Sequence, residues 1–282
     1  MKHRLLHYSA FTNDTSGGNP AGIWIGDSLP AQKEMQEIAK EVGYSETAFL
    51  APATGLARTV RYFSPAMEVS FCGHATIASG VALGNTQGPG LYLFSTLIGE
   101  IPVTVTTQNG GIRASLTSVE PRKEAAPENL IQSVLDALRW SRSDLDPNLL
   151  PALAYAGAWH LVLAVGTVER LNDLDYDFEE LKSVMTDAKL VTIQIVWRES
   201  DHVFHSRNPF PVGGVWEDPA TGAAAAALGG YLREMGLIEA PAKILIHQGV
   251  AMGRPSKLEV CIPVTGGILV SGMAVEILVD TN

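Results

Sequence analysis

Cysteine, positive charge and long apolar runs are all scarce in this chain of 282 residues. Its two cysteines, Cys72 and Cys261, stand far apart without CxxC spacing, so neither a disulfide framework nor a structural zinc site is expected and both thiols are read as reduced. Against 30 acidic residues there are 20 Lys and Arg, a net charge of -10, and no basic stripe that a nucleic-acid partner would require. No window approaches the roughly 18 apolar residues of a membrane span, and the amino end, MKHRLLHYSAF, has charge but no sustained apolar stretch. The expectation is a soluble, cytoplasmic protein that acts on a small molecule. GxGxxG, GxxxxGK[ST] and GxSxG are absent too, which sets aside the common dinucleotide, P-loop and hydrolase-elbow readings. The seven histidines are scattered; His202 and His205, three apart in a strand-like segment, would point to opposite faces, so no metal is expected.

What is there is mostly strand. Short segments rich in β-branched and aromatic residues occur at LHYSAF, GIWI, ETAFLAP, TVRYFS, GLYLFST and IPVTVTT, and again at WHLVLAV, LVTIQIVW, DHVFHSR, ILIHQG, KLEVCIP and GILVSGMAVEIL. Between them, Met35, Ile38, Ala39 and Val42 recur at helical spacing, with Pro30 suited to the first turn and Gly43 to a left-handed stop. The stretch SVEPRKEAAPENL reads as a polar connection between halves.

The two halves echo each other. An extended segment with acidic residues, EVSFCG in the first and VWEDPATG in the second, runs into a glycine that opens a helix of Ala, Ser, Gly and Thr: one from Gly73 to about Leu83, the other through AAAAALGGYLREMG. Helices so poor in large side chains can be approached closely on all sides, which suits the axis of a small barrel. Facing amino ends at Gly73 and Gly222 would aim free N–H groups and positive partial charge at a bound carboxylate.

Five ordered runs, FTNDTSGGNPAGI, YSETAFL, RYFSPAMEVSFCGHAT, SRNPFPVGGVWEDPATGAA and HQGVAMGRPSKLEV, together resemble the PhzF-like family of phenazine-biosynthesis isomerases, itself similar to diaminopimelate epimerase. The resemblance implies an α+β fold of two pseudo-symmetric diaminopimelate epimerase-like domains, each a β-barrel around a central helix. Residues 1–120 would form the first and 121–282 the second, the last strand able to return to the first. It further implies a homodimer and a cofactor-free isomerase acting on a small carboxylate. Residue by residue, it makes Glu46 of YSETAF the carboxylate that takes a proton from one carbon and returns it to another, with His74 and Asp218 assisting and holding substrate. Asn19, Gly73, Ala75, Thr221, Gly222 and Ala223 would line the pocket; Ala223 stands where many relatives have Ser, so one hydroxyl contact is missing.

Taken alone, these residues admit plainer roles. A loop carboxylate is ordinarily just solvated, although Tyr44, Ala48, Phe49 and Leu50 offer Glu46 an apolar wall that suits a base near neutrality. His74 at a positive helix end should remain neutral, and Asp218 is the kind of residue that precedes helices anyway. Cys72 at a helix amino end is electrostatically favoured as thiolate. Diaminopimelate epimerase uses a cysteine at each helix start, but here Thr221 stands opposite Cys72, and an alcohol cannot be the second acid or base. Cys72 is therefore read as a bystander. Three alternatives stay open: an epimerase or racemase, a Cys72–His74 thiol hydrolase, and a small-acid binding protein without turnover.

Overall fold

The computed structural model describes residues 3–108 and 110–279; Met1, Lys2, Asn109, Asp280, Thr281 and Asn282, the ends of the two expected domains among them, lie outside the described residues. The chain divides into two compact units, Met1–Thr117 with Ser271–Asn282, and Ser118–Val270.

In the first unit the strands are β1 (His3–Ala10), β2 (Asn19–Gly26), β3 (Glu46–Pro52), β4 (Ala57–Phe63), β5 (Glu68–Val69), β6 (Gly90–Thr96), β7 (Gly99–Gln108) and β8 (Gly111–Thr117). The helices are α1 (Gln32–Val42) and α2 (Gly73–Gln87). Most of the last strand of the chain, β16 (Leu269–Glu276), also belongs here. The order β1-β2-β3-β4-β6-β7-β8-β16 closes through β1–β16 pairing into an eight-stranded barrel. Two of its pairs are parallel, β2–β3 and β4–β6, and the crossovers joining them carry α1 and α2.

Those helices are built oppositely. α1 is amphipathic: Met35 and Ala39 are buried on one face, and Gly43 ends it at φ 72. Pro30 precedes the helix instead of entering its first turn, because the chain stays extended through Ala31. α2 is buried from His74 to Gly84 and has no polar face. Small residues make that possible. A Cβ on Gly80 would lie 2.8 Å from the Cβ of Ala114, and one on Gly84 would lie 2.6 Å from methyls of both Val105 and Ile112. Strands β7 and β8 thus pass against bare helix backbone.

The second unit contains β9 (Arg122–Ala125), α3 (Glu128–Leu138), β10 (Ala152–Tyr155), β11 (Trp159–Ala164), α4 (Val168–Asn172), α5 (Phe178–Asp187), β12 (Thr192–Arg198), β13 (Val203–Arg207), α6 (Gly222–Glu234), β14 (Ala242–Gln248) and β15 (Ser256–Ile262). The path β9-β10-β11-β12-β13-β14-β15 curls around α6, which touches β15 as well as β9, β10 and β11. Its parallel pairs, β11–β12 and β13–β14, are again joined by helical crossovers. SVEPRKEAAPENL is not a plain connection: it holds β9 and the start of α3. His202 lies before β13, not within it.

On β12 the faces divide by alternation. Ile193 and Ile195 join Val134, Leu138, Leu181 and Met185 in a core beneath α3 and α5. Thr192 and Gln194 are fully covered on the other face. There His160 Nδ1 meets Thr192 Oγ1 at 2.8 Å, and Asn208 Nδ2 donates to the same hydroxyl. Burial lowers the His160 pKa to about 3.

Two outcomes are expected. Gly84→Val should destabilise the chain by about 1–3 kcal/mol through overpacking, seen as a lower urea midpoint; an unchanged midpoint would mean the barrel yields there. Because the folded-state pKa of His160 lies below its unfolded value, its contribution is intact above about pH 6.5 and is lost progressively as pH falls toward about 3. His160→Gln should therefore flatten the fall in unfolding free energy between about pH 6 and 4 by up to roughly 1.4 kcal/mol per pH unit. Parallel slopes for wild type and variant would contradict this.

Candidate active site

Glu46 opens β3, three residues after the left-handed stop of α1 at Gly43, and pairs in register with Ala21 of β2. Cys72 is the extended N-cap of α2, and His74 is the second helical residue. These two segments meet. The Cys72 thiol donates to Glu46 Oε2 at 3.6 Å and lies 3.3 Å from His74 Nδ1. His74 Nε2 is 3.5 Å from Glu46 Oε2 and 3.4 Å from Ser45 Oγ. Side-chain exposure is 7% for His74 and 17% for Glu46, so the carboxylate is neither an ordinary surface group nor sealed from a ligand.

The surroundings of Glu46 are more polar than its sequence neighbours imply. Phe49, three residues on, points to the opposite face of β3 and packs with Trp24, Met35 and Phe63 under α1. Tyr44 meets His7 edge-on. Around the carboxylate itself stand a thiol and an imidazole. Burial holds His74 below its ordinary pKa, while Glu46 and the carbonyl of Pro20, which accepts from the ring, act in the opposite sense. The lowered value keeps the ring neutral near pH 7, able to accept from one side and donate from the other.

The turn bearing Cys72 is fixed from inside the barrel. Tyr62 and Thr76 share a 2.6 Å hydroxyl contact, and Thr76 Oγ1 donates to the Cys72 carbonyl at 2.7 Å. No side chain caps α2, so its first amides keep hydrogen-bonding capacity for an anion. Asn19 is buried at the start of β2, paired with Ala10; Gly73 opens α2, and Ala75 is fully buried within it.

The second unit sorts its two adjacent acids into different tasks. Glu217 is 3% exposed and takes a forked ion pair from Arg207, with Nη2 to Oε2 at 2.6 Å and Nε to Oε1 at 3.0 Å. Asp218 is half-buried and accepts from the Thr221 hydroxyl at 2.5 Å. That bond turns Thr221, the N-cap of α6, away from capping its helix. Gln248 clamps the turn: its Nε2 donates to the Asp218 carbonyl and to Thr221 Oγ1, and its Oε1 accepts from the Thr221 amide. Gly222 and Ala223 follow as the first residues of α6.

The structure thus brings Glu46, Cys72 and His74 together in the first unit, and Asp218, Thr221 and the α6 start together in the second. Ser45, the Pro20 carbonyl and Gln248 are additions that residue-type reasoning passed over. Ser45 and Gln248 do stand inside motifs, YSETAFL and HQGV, but nothing local assigns them partners.

A family model described as phenazine biosynthesis-like protein matches residues 8–278. The uncharacterized isomerase YfhB of Bacillus subtilis is 30% identical over 272 residues, spanning 93% of this chain and 92% of that protein. Among solved structures, a PhzF-family phenazine biosynthesis protein from Bacillus anthracis matches with TM-score 0.85 and 25% identity over 99% of this chain and 98% of that one. A predicted epimerase from Pseudomonas aeruginosa gives the same TM-score at 22% identity, covering 98% of each chain, which bears on the fold alone. By motif order, barrel architecture and family match together, this chain belongs to the PhzC-PhzF family of phenazine biosynthesis-like proteins.

Proposed function

We propose that the chain is a cofactor-independent isomerase that moves a proton between two carbons of a small carboxylate-bearing substrate, with Glu46 as base and then acid. The isomerase class is supported by the family and by the relative so named. The observation that carries the residue assignment is the contact of the Glu46 carboxylate with both Cys72 and His74, on a side chain that is 17% exposed. Glu46 accepts the proton as the substrate C–H bond breaks, the electron pair spreads into the substrate's conjugated system, and the same carboxyl group returns the proton to a second carbon. Neutral His74 holds the substrate by hydrogen bonding without an ion pair that would stabilise the resting carboxylate. The uncapped amides at Gly73 suit the substrate's negative charge. Carried over from the family, Asp218 assists and holds substrate, and Asn19, Ala75, Thr221, Gly222 and Ala223 line the pocket. A homodimer and a cytoplasmic setting belong to the same proposal; among the described residues, no helix is long and apolar enough to cross a membrane.

One observation favours a second reading. Cys72, His74 and Glu46 stand in the relation of nucleophile, base and orienting acid, so a thiol mechanism has the third group that the sequence leaves unassigned. The same contacts could also serve an epimerase.

The test begins with a thermal-shift screen of hydroxy-, amino- and cyclohexadiene carboxylates, followed by kinetics on any substrate found. Glu46→Gln should lower kcat by at least about 10²-fold with binding nearly intact. Cys72→Ser should cost far less, and His74→Ala and Asp218→Asn should fall between them and raise KM. Loss of turnover in Cys72→Ser with retention in Glu46→Gln would transfer the chemistry to the thiol; inactivation by iodoacetamide that substrate prevents would favour that reading.

A further inference from the structure

Three donors of different chemistry converge at one point. Glu46 Oε2, Cys72 Sγ and His74 Nε2 form a triangle with edges of 3.6 Å (O to S), 3.8 Å (S to N) and 3.5 Å (N to O). They come from two separate segments, the first residue of β3 and the opening turn of α2, so the triangle is a product of the fold and not of local spacing. A tetrahedral zinc ion with bonds of about 2.3 Å to sulfur and about 2.0–2.1 Å to nitrogen and oxygen sets its ligands roughly 3.3–3.6 Å apart. The observed edges exceed that range by only a few tenths of an ångström at most, within reach of small side-chain rotations.

We propose that this triangle is a binding site for a thiophilic divalent cation, Zn²⁺ and its analogues Co²⁺ and Cd²⁺, which occupies the carboxylate and thereby blocks turnover. Thiolate, imidazole and carboxylate together select such ions over Mg²⁺ and Ca²⁺, which take oxygen ligands. Cys72 and His74 are 8% and 6% exposed, so two of the three donors are held in the packed interior and not on mobile surface chains. On binding, the Cys72 S–H bond is replaced by a metal–sulfur bond and its proton passes to solvent, whereas neutral His74 and ionised Glu46 each give a lone pair without losing a proton. Three protein ligands leave the fourth position to water or a substrate oxygen. Occupancy inhibits because a dication on Oε2 draws charge from the whole carboxylate and makes it a weaker base toward the substrate proton. The binding claim stands on the donor geometry alone; the inhibition claim rests on Glu46 being the base.

The test titrates the chelator-treated full chain with Co²⁺, then displaces it with Zn²⁺. One Co²⁺ per chain is expected, with the visible bands of a tetrahedral site and a thiolate-to-cobalt charge-transfer band in the near ultraviolet. Cys72→Ser should remove the charge-transfer band. Glu46→Gln and His74→Gln should each weaken binding at least about tenfold, the lower bound even for losing a partner behind a ligand. Cys261→Ser, which removes the other thiol, should change nothing. Because substitutions in a buried turn can unfold the chain, alkylation of the unmutated protein is a second arm: Zn²⁺ should slow iodoacetamide labelling of Cys72 by at least about tenfold and leave Cys261 unaffected. Absence of the charge-transfer band, its loss in Cys261→Ser, or equal alkylation of Cys72 with and without Zn²⁺ would overturn the site. Stoichiometric binding that leaves turnover intact would overturn the inhibition and the assignment of Glu46 as base while the ion site stood.

Discussion

Everything at the candidate site depends on a helix that can be surrounded. α2 is covered by strands from His74 to Gly84, and only a helix of glycine, alanine and other compact residues allows strands to approach its backbone as closely as β7 and β8 do at Gly80 and Gly84. The tight packing fixes the axis of α2, and with it the position of its amino end. Cys72 and His74 are therefore presented by a buried, closely packed helix instead of by a loop. Glu46 is presented by a strand of that same barrel. The precision needed to hold three polar side chains within 4 Å of one another comes from apolar packing several turns away.

The second unit repeats the device with different outcomes. α6 is approached as closely as α2: a Cβ on Gly230 would lie 2.3 Å from Pro121 Cβ, and one on Gly229 about 3 Å from Ile268. Its opening turn carries no thiol. Thr221, bonded to Asp218 and clamped by Gln248, makes that turn a fixed hydrogen-bonding array, while the forked Arg207–Glu217 pair locks the residue before it. Breaking a buried pair of this kind leaves an uncompensated charge, so Glu217 has a structural task even though it sits beside the residue singled out for function.

Much of this is legible in the sequence because the signals are local. Residues 46–52 and 90–96 are strands with the bounds their composition implies, and Gly43, Gly73 and Gly222 mark helix ends as expected. What escapes is non-local or masked. Arg122–Ala125 lacks apolar alternation because β9 ends its strand path and is largely exposed. Ile131, Val134, Leu135 and Leu138 do carry a helical period, but the neighbouring prolines and charges turn attention to a loop. The meeting of Glu46 with Cys72 and His74 has no signature in spacing. It requires β3 and the α2 start to be neighbours, which only the closed barrel secures. For the same reason Cys72, read as a bystander because Thr221 stands in the matching place of the other half, turns out to touch both Glu46 and His74, and Phe49 proves to face away from Glu46.

The central claim is that one carboxylate both removes and returns the proton. The direct measurement is label transfer: a substrate carrying deuterium at its acidic carbon, turned over once in H₂O, with the product analysed by mass spectrometry and NMR. A proton held on the mostly buried Glu46 carboxyl group should be delivered before it fully exchanges, so part of the deuterium should appear at the second carbon, on the same face it left. Complete loss of deuterium to solvent, together with inverted configuration at the original carbon, would mean that two groups on opposite faces do the work, and the single-carboxylate account would be wrong.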